Sequence, residues 1–104
     1  MDLKDPKECT SAEEIRNEID KIDRKIISLF AERHKYIEEI VRFKDDEKGV
    51  VAQTRKDQVI RKRSDWAKKN GLDADTFKRI FTLLVESNIQ HELKLLESKK
   101  KSSK

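Results

Sequence analysis

A chain of 104 residues that is 44% charged and 35% hydrophobic has room for one domain, whose core is too thin to be self-sufficient, so burial is expected to be completed by a second copy. Its 25 Lys and Arg against 21 Asp and Glu leave a net charge of +4, a mixed charged surface that gives no argument for nucleic acid as a partner. The lone Cys9 excludes an internal disulfide, no Cys or His cluster has metal-ligand spacing, and no apolar stretch has the length of a signal core or a membrane span; a soluble cytoplasmic protein without metal or membrane partner is expected.

With two glycines and one proline, long stretches are free to be helical. Ser11-Ala12-Glu13-Glu14 has the S-x-x-E form of a capping box, in which the Ser hydroxyl takes a backbone N–H and the Glu reaches back to the cap, so a first helix is predicted to begin there. Ile15, Ile19, Ile22, Ile26, Leu29, Arg33, Tyr36 and Ile40 then follow at steps of 4, 3, 4, 3, 4, 3 and 4, a heptad seam whose apolar character only Arg33 breaks. Carried on to Lys44, this helix is ~50 Å long, whereas a compact domain of about 100 residues has a radius of gyration of ~13 Å. So long a helix must lie against a partner, and an intertwined homodimer is the simplest arrangement.

The stretch 45–53 carries Gly49 and Val50-Val51 without a helical period and reads as a loop. Thr54 is the predicted cap of a second helix, in which Val59, Ile60, Arg63, Trp66 and Ala67 share one side and Asn70-Gly71 supplies the stop. Asp73 is predicted to cap a third helix, where Phe77, Ile80, Phe81, Leu84, Asn88, His91 and Leu95 keep a 3-4 rhythm. Lys99-Lys100-Lys101-Ser102-Ser103-Lys104 reads as a disordered basic tail, 99–104, following a single domain over 1–98. Nothing has strand periodicity, so the fold class is all-α, with three helices.

Function is most legible where the helical pattern is violated, because a buried charge needs a compensating partner. Arg33 occupies a seam position, and Lys44, about 1100° further round the helix, falls about 20° from the same face. Arg16 precedes Arg33 by a rotation of about 260° and ~25 Å of helical rise, so one chain cannot close both on one small ligand. An antiparallel copy could bring Arg16 of one subunit beside Arg33 and Lys44 of the other. Arg55 opens the second helix, and Asn88 and Glu92 interrupt the apolar side of the third. Convergence of these groups would make a basic, desolvated pocket suited to a compact dicarboxylate. Periodicity alone leaves open the alternative in which Arg33 snorkels or pairs with a Glu, while Lys44 and Arg55 are surface residues.

Short motifs recur in order along the chain: Pro6-x-x-Cys9-Thr10, Ile15-Arg16-x-x-Ile19-Asp20-x-Ile22-Asp23, Arg33, Arg42-Phe43-Lys44, Arg55, and Trp66-Ala67-x-x-Asn70-Gly71-Leu72-Asp73-Ala74. Through them the stretch from Pro6 to about Leu96 resembles the helical, AroQ-class chorismate mutases and, among these, the isochorismate pyruvate lyase of the pyochelin pathway. The resemblance implies the three-helix chorismate mutase type II fold, a homodimer with shared sites, a chorismate or isochorismate substrate, and no cofactor or metal. It also implies that Arg16 from the neighbouring subunit joins Arg33 and Arg55 in gripping the substrate carboxylates; Asn88, from its place on the interrupted face of the third helix, is expected to bind substrate beside them. Lys44 is then placed at the enolpyruvyl ether oxygen, where negative charge grows as the C–O bond breaks.

Two positions depart from the mutase pattern. Lys56 stands where mutases of this class usually carry a Glu for the ring hydroxyl, a feature the lyase also lacks. Glu92 stands where a Gln usually bonds the ether oxygen, and an ionised carboxylate cannot donate that bond. The resemblance thus implies isochorismate pyruvate lyase activity, giving salicylate and pyruvate, ahead of chorismate mutase activity in aromatic amino-acid synthesis. A non-catalytic helical dimerisation module is the alternative of another class, although a pure scaffold has no reason to hold four cations together.

Overall fold

The computed structural model describes residues 1–102, and among them every regular element is helical. Helix α1 spans Ala12–Ile40, α2 Glu47–Val51, α3 Gln53–Lys69 and α4 Ala74–Ser102, with 3₁₀ turns at Pro6–Glu8 and Val41–Phe43. The chain divides inside α1 into two compact units, Met1–Tyr36 and Ile37–Lys104. No helix among the described residues is long and apolar enough to cross a membrane.

In the first unit, α1 starts where the sequence places it, with the Ser11 hydroxyl accepting the Glu14 N–H at 3.1 Å. The reciprocal half of the box is displaced by one residue. Glu14 accepts the Thr10 N–H at 2.9 Å and the Thr10 hydroxyl at 3.3 Å, and also pairs with Lys4 at 3.1 Å. One turn on, Glu18 accepts the backbone N–H of Lys4 at 3.0 Å and the Lys21 ammonium at 2.8 Å. The N-terminal segment is thereby strapped to the first turns of α1 through backbone donors that would otherwise need water. No residue of α1 is buried: Ile15, Ile19, Ile22, Ile26, Leu29, Tyr36 and Ile40, the apolar members of the seam, are all exposed.

The second unit begins with the last residues of α1, and here the helix stops short of its predicted length. Val41–Phe43 tighten into a 3₁₀ turn closed by the Lys44 N–H on the Val41 carbonyl at 3.0 Å, and Lys44 itself is extended at φ −107° and ψ 128°. Rotation counted at about 100° per residue therefore does not carry from Arg33 to Lys44. The loop expected over 45–53 holds α2 instead. Its cap is Asp46, whose carboxylate accepts the Gly49 N–H at 2.8 Å. Five residues are too few for a helical period to show in sequence.

Ala52 then turns the chain with a left-handed backbone, φ 38° and ψ 63°, and serves as the N-cap of α3 without any side-chain hydrogen bond. Thr54, the predicted cap, lies inside the helix. The left-handed region costs an L-residue with a Cβ ~1–2 kcal/mol that glycine does not incur, partly offset by glycine's greater chain entropy. Ala52→Gly is accordingly expected to raise unfolding stability by up to about 1 kcal/mol, read as a higher urea midpoint; a lower midpoint would contradict the strained turn.

The remaining boundaries follow the sequence closely. At the end of α3 the Leu72 N–H reaches the Ala67 carbonyl at 2.9 Å and the Gly71 N–H reaches Lys68 at 3.0 Å, with Gly71 at φ 75°, a Schellman motif in which glycine supplies the left-handed residue. Asp73 caps α4, accepting the Thr76 N–H at 3.0 Å. Helix α3 packs along α4 and buries Ile60 and Ala67, while Val41, Val50 and Leu96 form a second apolar cluster with Ile89, Leu93 and Leu95 against it. Trp66, on the same side of α3, is 51% exposed, with the Arg63 guanidinium 4.7 Å over its ring. That guanidinium also lies 5.9 Å from the Phe81 ring, so a cation bridges the two aromatics.

The basic segment expected as a tail from residue 99 begins inside α4. The Lys99 ammonium donates to the carbonyls of Val41, Arg42 and Lys44 at 3.3, 3.3 and 3.1 Å. Ser103 and Lys104 lie outside the described residues.

Three carboxyls are held below their ordinary range: Glu14 chiefly by the Thr10 N–H and Lys4, Glu18 by Lys21 and the Lys4 N–H, and Asp73 by the hydroxyl and N–H of Thr76. A lowered folded value means stability that is present above the unfolded value, 4.5 for Glu and 3.8 for Asp, and lost as pH falls through the folded one. Thermal melts are expected to fall below about pH 4.5, and Glu14→Gln should flatten part of that fall. An unchanged acid limb in Glu14→Gln would remove the strap from the account.

Candidate active site

On α4 the apolar side that contributes Leu96 to the core also carries Asn88 and Glu92, one turn apart, and both are buried, at 9% and 7% exposure. Among the described residues no buried side-chain nitrogen or oxygen lacks a hydrogen-bond partner, so the amide and carboxyl are accommodated. Burying them still costs desolvation that two leucines would not. Packing alone therefore does not account for their presence.

Lys44 stands in the extended link between the 3₁₀ turn and α2, half-buried. A Cβ at Gly49 would lie 3.7 Å from Lys44 Cδ, so the lysine stem runs over the glycine backbone while its own carbonyl is held by Lys99 at 3.1 Å. Arg55 projects exposed from the first turn of α3. These four residues, Lys44, Arg55, Asn88 and Glu92, all belong to the second unit.

Lys56, next to Arg55 on α3, is half-buried. Its ammonium pairs with Glu86 at 3.3 Å, and Glu86 lies about 200° round α4 from Asn88 and about 120° from Glu92. Lys56 and Glu86 line an open groove of about 560 Å³ with Leu83, Ile89 and Leu93, and neither Asn88 nor Glu92 lines it. His91 is half-buried and pairs with Glu38 at 3.0 Å.

Arg16 and Arg33 belong to the first unit, Arg16 exposed and Arg33 half-buried with a partner of its own. Because α1 is unbroken from Ala12 to Ile40, the two arginines are ~25 Å apart along its axis. One chain does not bring them together.

Sequence reasoning missed Lys99. Its role becomes apparent only once α4 packs against the Val41–Phe43 turn and brings the lysine three residues beyond Leu96 to the carbonyls of Val41 and Lys44.

The family comparison covers most of this architecture. Residues 15–93 match chorismate mutase type II. The chain is 33% identical over 92 residues to the isochorismate pyruvate lyase of Pseudomonas aeruginosa, an alignment covering 88% of this chain and 91% of that protein. It is also 29% identical over 82 residues to the bifunctional chorismate mutase/prephenate dehydratase of Buchnera aphidicola, covering 78% of this chain but 21% of that longer protein. An all-helical chain with this order of helices and this extent of match belongs to the chorismate mutase type II family.

Proposed function

We propose that this protein converts isochorismate to salicylate and pyruvate, with rearrangement of chorismate to prephenate as a weaker second activity. The observation that carries the reading is similarity to an isochorismate pyruvate lyase along nine-tenths of both chains, together with a set of cations suited to a dicarboxylate. The reaction is balanced within the substrate: the ether C–O bond breaks, one ring hydrogen moves to the enolpyruvyl methylene to make the methyl of pyruvate, and the ring becomes aromatic. Such a pericyclic step needs no nucleophile and no external base. Catalysis then consists of holding the reactive conformation and stabilising charge where it develops.

The roles follow from residue chemistry. Planar guanidinium forks match carboxylates in a bidentate way, which suits Arg33 and Arg55 of one subunit with Arg16 of a second. The exposed apolar seam of α1 and the ~25 Å between Arg16 and Arg33 support a homodimer that shares its sites. Lys44 is assigned to the ether oxygen, and Asn88 to the substrate. Glu92, when protonated, can donate a further hydrogen bond to that oxygen.

This assignment of Glu92 has a defined pH consequence. Only the neutral acid donates, so kcat is expected to fall as pH rises through the Glu92 pKa, and Glu92→Gln, an amide that donates at every pH, should flatten the profile and help more at about pH 8 than at about pH 5. A flat wild-type profile left unchanged by Glu92→Gln would take Glu92 out of the mechanism.

The bifunctional relative supports chorismate-to-prephenate conversion as the second reading. Product analysis separates the two. Incubation with each substrate in turn is expected to give salicylate and pyruvate from isochorismate at higher kcat/KM than prephenate from chorismate. Efficient prephenate formation with no salicylate would establish the mutase reading, and no turnover of either would leave the helical module.

A further inference from the structure

We infer that Lys99 is a positioning residue for Lys44, an inference that rests on the proposed role of Lys44 at the ether oxygen. Lys99 lies beyond the stretch matched to the family, which ends at residue 93, and in a segment whose composition suggests only a solvated terminus. Its ammonium instead donates to three carbonyls of one turn, Val41 at 3.3 Å, Arg42 at 3.3 Å and Lys44 at 3.1 Å.

The turn follows directly on the end of α1, where a cation also meets the negative end of the helix dipole. The Val41 carbonyl already accepts the Lys44 N–H at 3.0 Å, so Lys99 gathers the whole turn around the backbone of Lys44. The turn is fixed from its other side by Val41, buried with Val50 and Leu96. Leu96 and Lys99 are three residues apart on α4, so the same helix that carries Asn88 and Glu92 also sets where Lys44 begins. This couples the lysine to the buried amide and carboxyl through one rigid element. Its neighbour Lys101 pairs with Glu97 at 3.2 Å and serves as a control for loss of charge from the same end of the helix.

The test is a double-mutant comparison with kcat, KM and melting temperature measured on the full chain with isochorismate. Lys99→Met keeps the aliphatic stem and removes the donors. A displacement of about 1 Å at a reacting group can cost ~100-fold, and a partial loosening of the turn is expected to lower kcat by about tenfold with KM changed less than about twofold. Lys99→Arg should keep most of the rate, and Lys101→Met all of it. In the Lys44→Ala background Lys99→Met should have no further effect, because it acts only through Lys44. Hydrogen exchange at the Lys44 amide should quicken in Lys99→Met, a readout that needs no turnover.

A wild-type kcat with unchanged exchange in Lys99→Met, or a full further loss on top of Lys44→Ala, would overturn the inference. If Lys44→Ala itself turns over normally, the role of Lys44 fails and the positioning role falls with it. If Lys44→Ala is slow while Lys99→Met is normal, only the positioning role fails.

Discussion

Replacing Lys44 with Ala is expected to lower kcat for isochorismate by about 100-fold or more while the protein still folds, the scale found when a preorganised donor to a developing oxyanion is removed. The size follows from where charge appears. Neither carboxylate of the substrate gains charge during the reaction, so the arginines that grip them stabilise ground state and transition state alike, whereas the ether oxygen becomes negative only as its bond breaks. An ammonium at that oxygen acts on kcat, and its loss should leave KM nearly unchanged. Folding is spared because Lys44 is half-buried and extended, with the apolar support of its turn coming from Val41, Val50 and Leu96. Lys44→Arg keeps the charge on a longer, planar group and should recover only part of the rate. Near-normal turnover in Lys44→Ala would contradict the mechanism.

What could be read from the sequence was what local chemistry settles. Ser11, Gly71 and Asp73 each satisfy backbone groups within a few residues of themselves, and each does in the structure what its position predicts. The seam of α1 was legible because a period of 3.5 persists over 26 residues, from Ile15 to Ile40. The end of α1 was not. Its termination at Ile40 involves Lys99, 59 positions away, and a pattern along one helix carries no record of a donor arriving from another. Helix α2 was hidden by its brevity and Ala52 by its ordinary identity, since alanine gives no warning of a left-handed turn.

For the candidate site, the burial of Asn88 and Glu92 was foreseeable from the stripe they interrupt. The direction of Lys56 was not: one residue along a helix turns a side chain by about 100°, and only the packing of α3 on α4 decides that it meets Glu86. With that pairing in place, Lys56→Glu would set two carboxylates against each other and is expected to weaken the α3–α4 contact. The proposed preference for isochorismate rests on similarity to the lyase.

We propose that one active site is built from two copies of the chain, because Arg16 lies ~25 Å along the unbroken α1 from Arg33, the arginine it is proposed to join. With isochorismate held well below KM, Arg16→Ala, through weakened binding, and Lys44→Ala, through lowered kcat, should each turn over far more slowly than wild type as homodimers. Unfolded together in equal amounts and refolded, they should form heterodimers for half of the population, each with one doubly mutated site and one intact site, and recover about a quarter of the wild-type rate. Native mass spectrometry establishes that the heterodimers are present, and isochorismate turnover by the same sample is the decisive measurement. Recovery to about a quarter is the predicted result; confirmed heterodimers with no activity beyond that of the two parents would contradict the shared site.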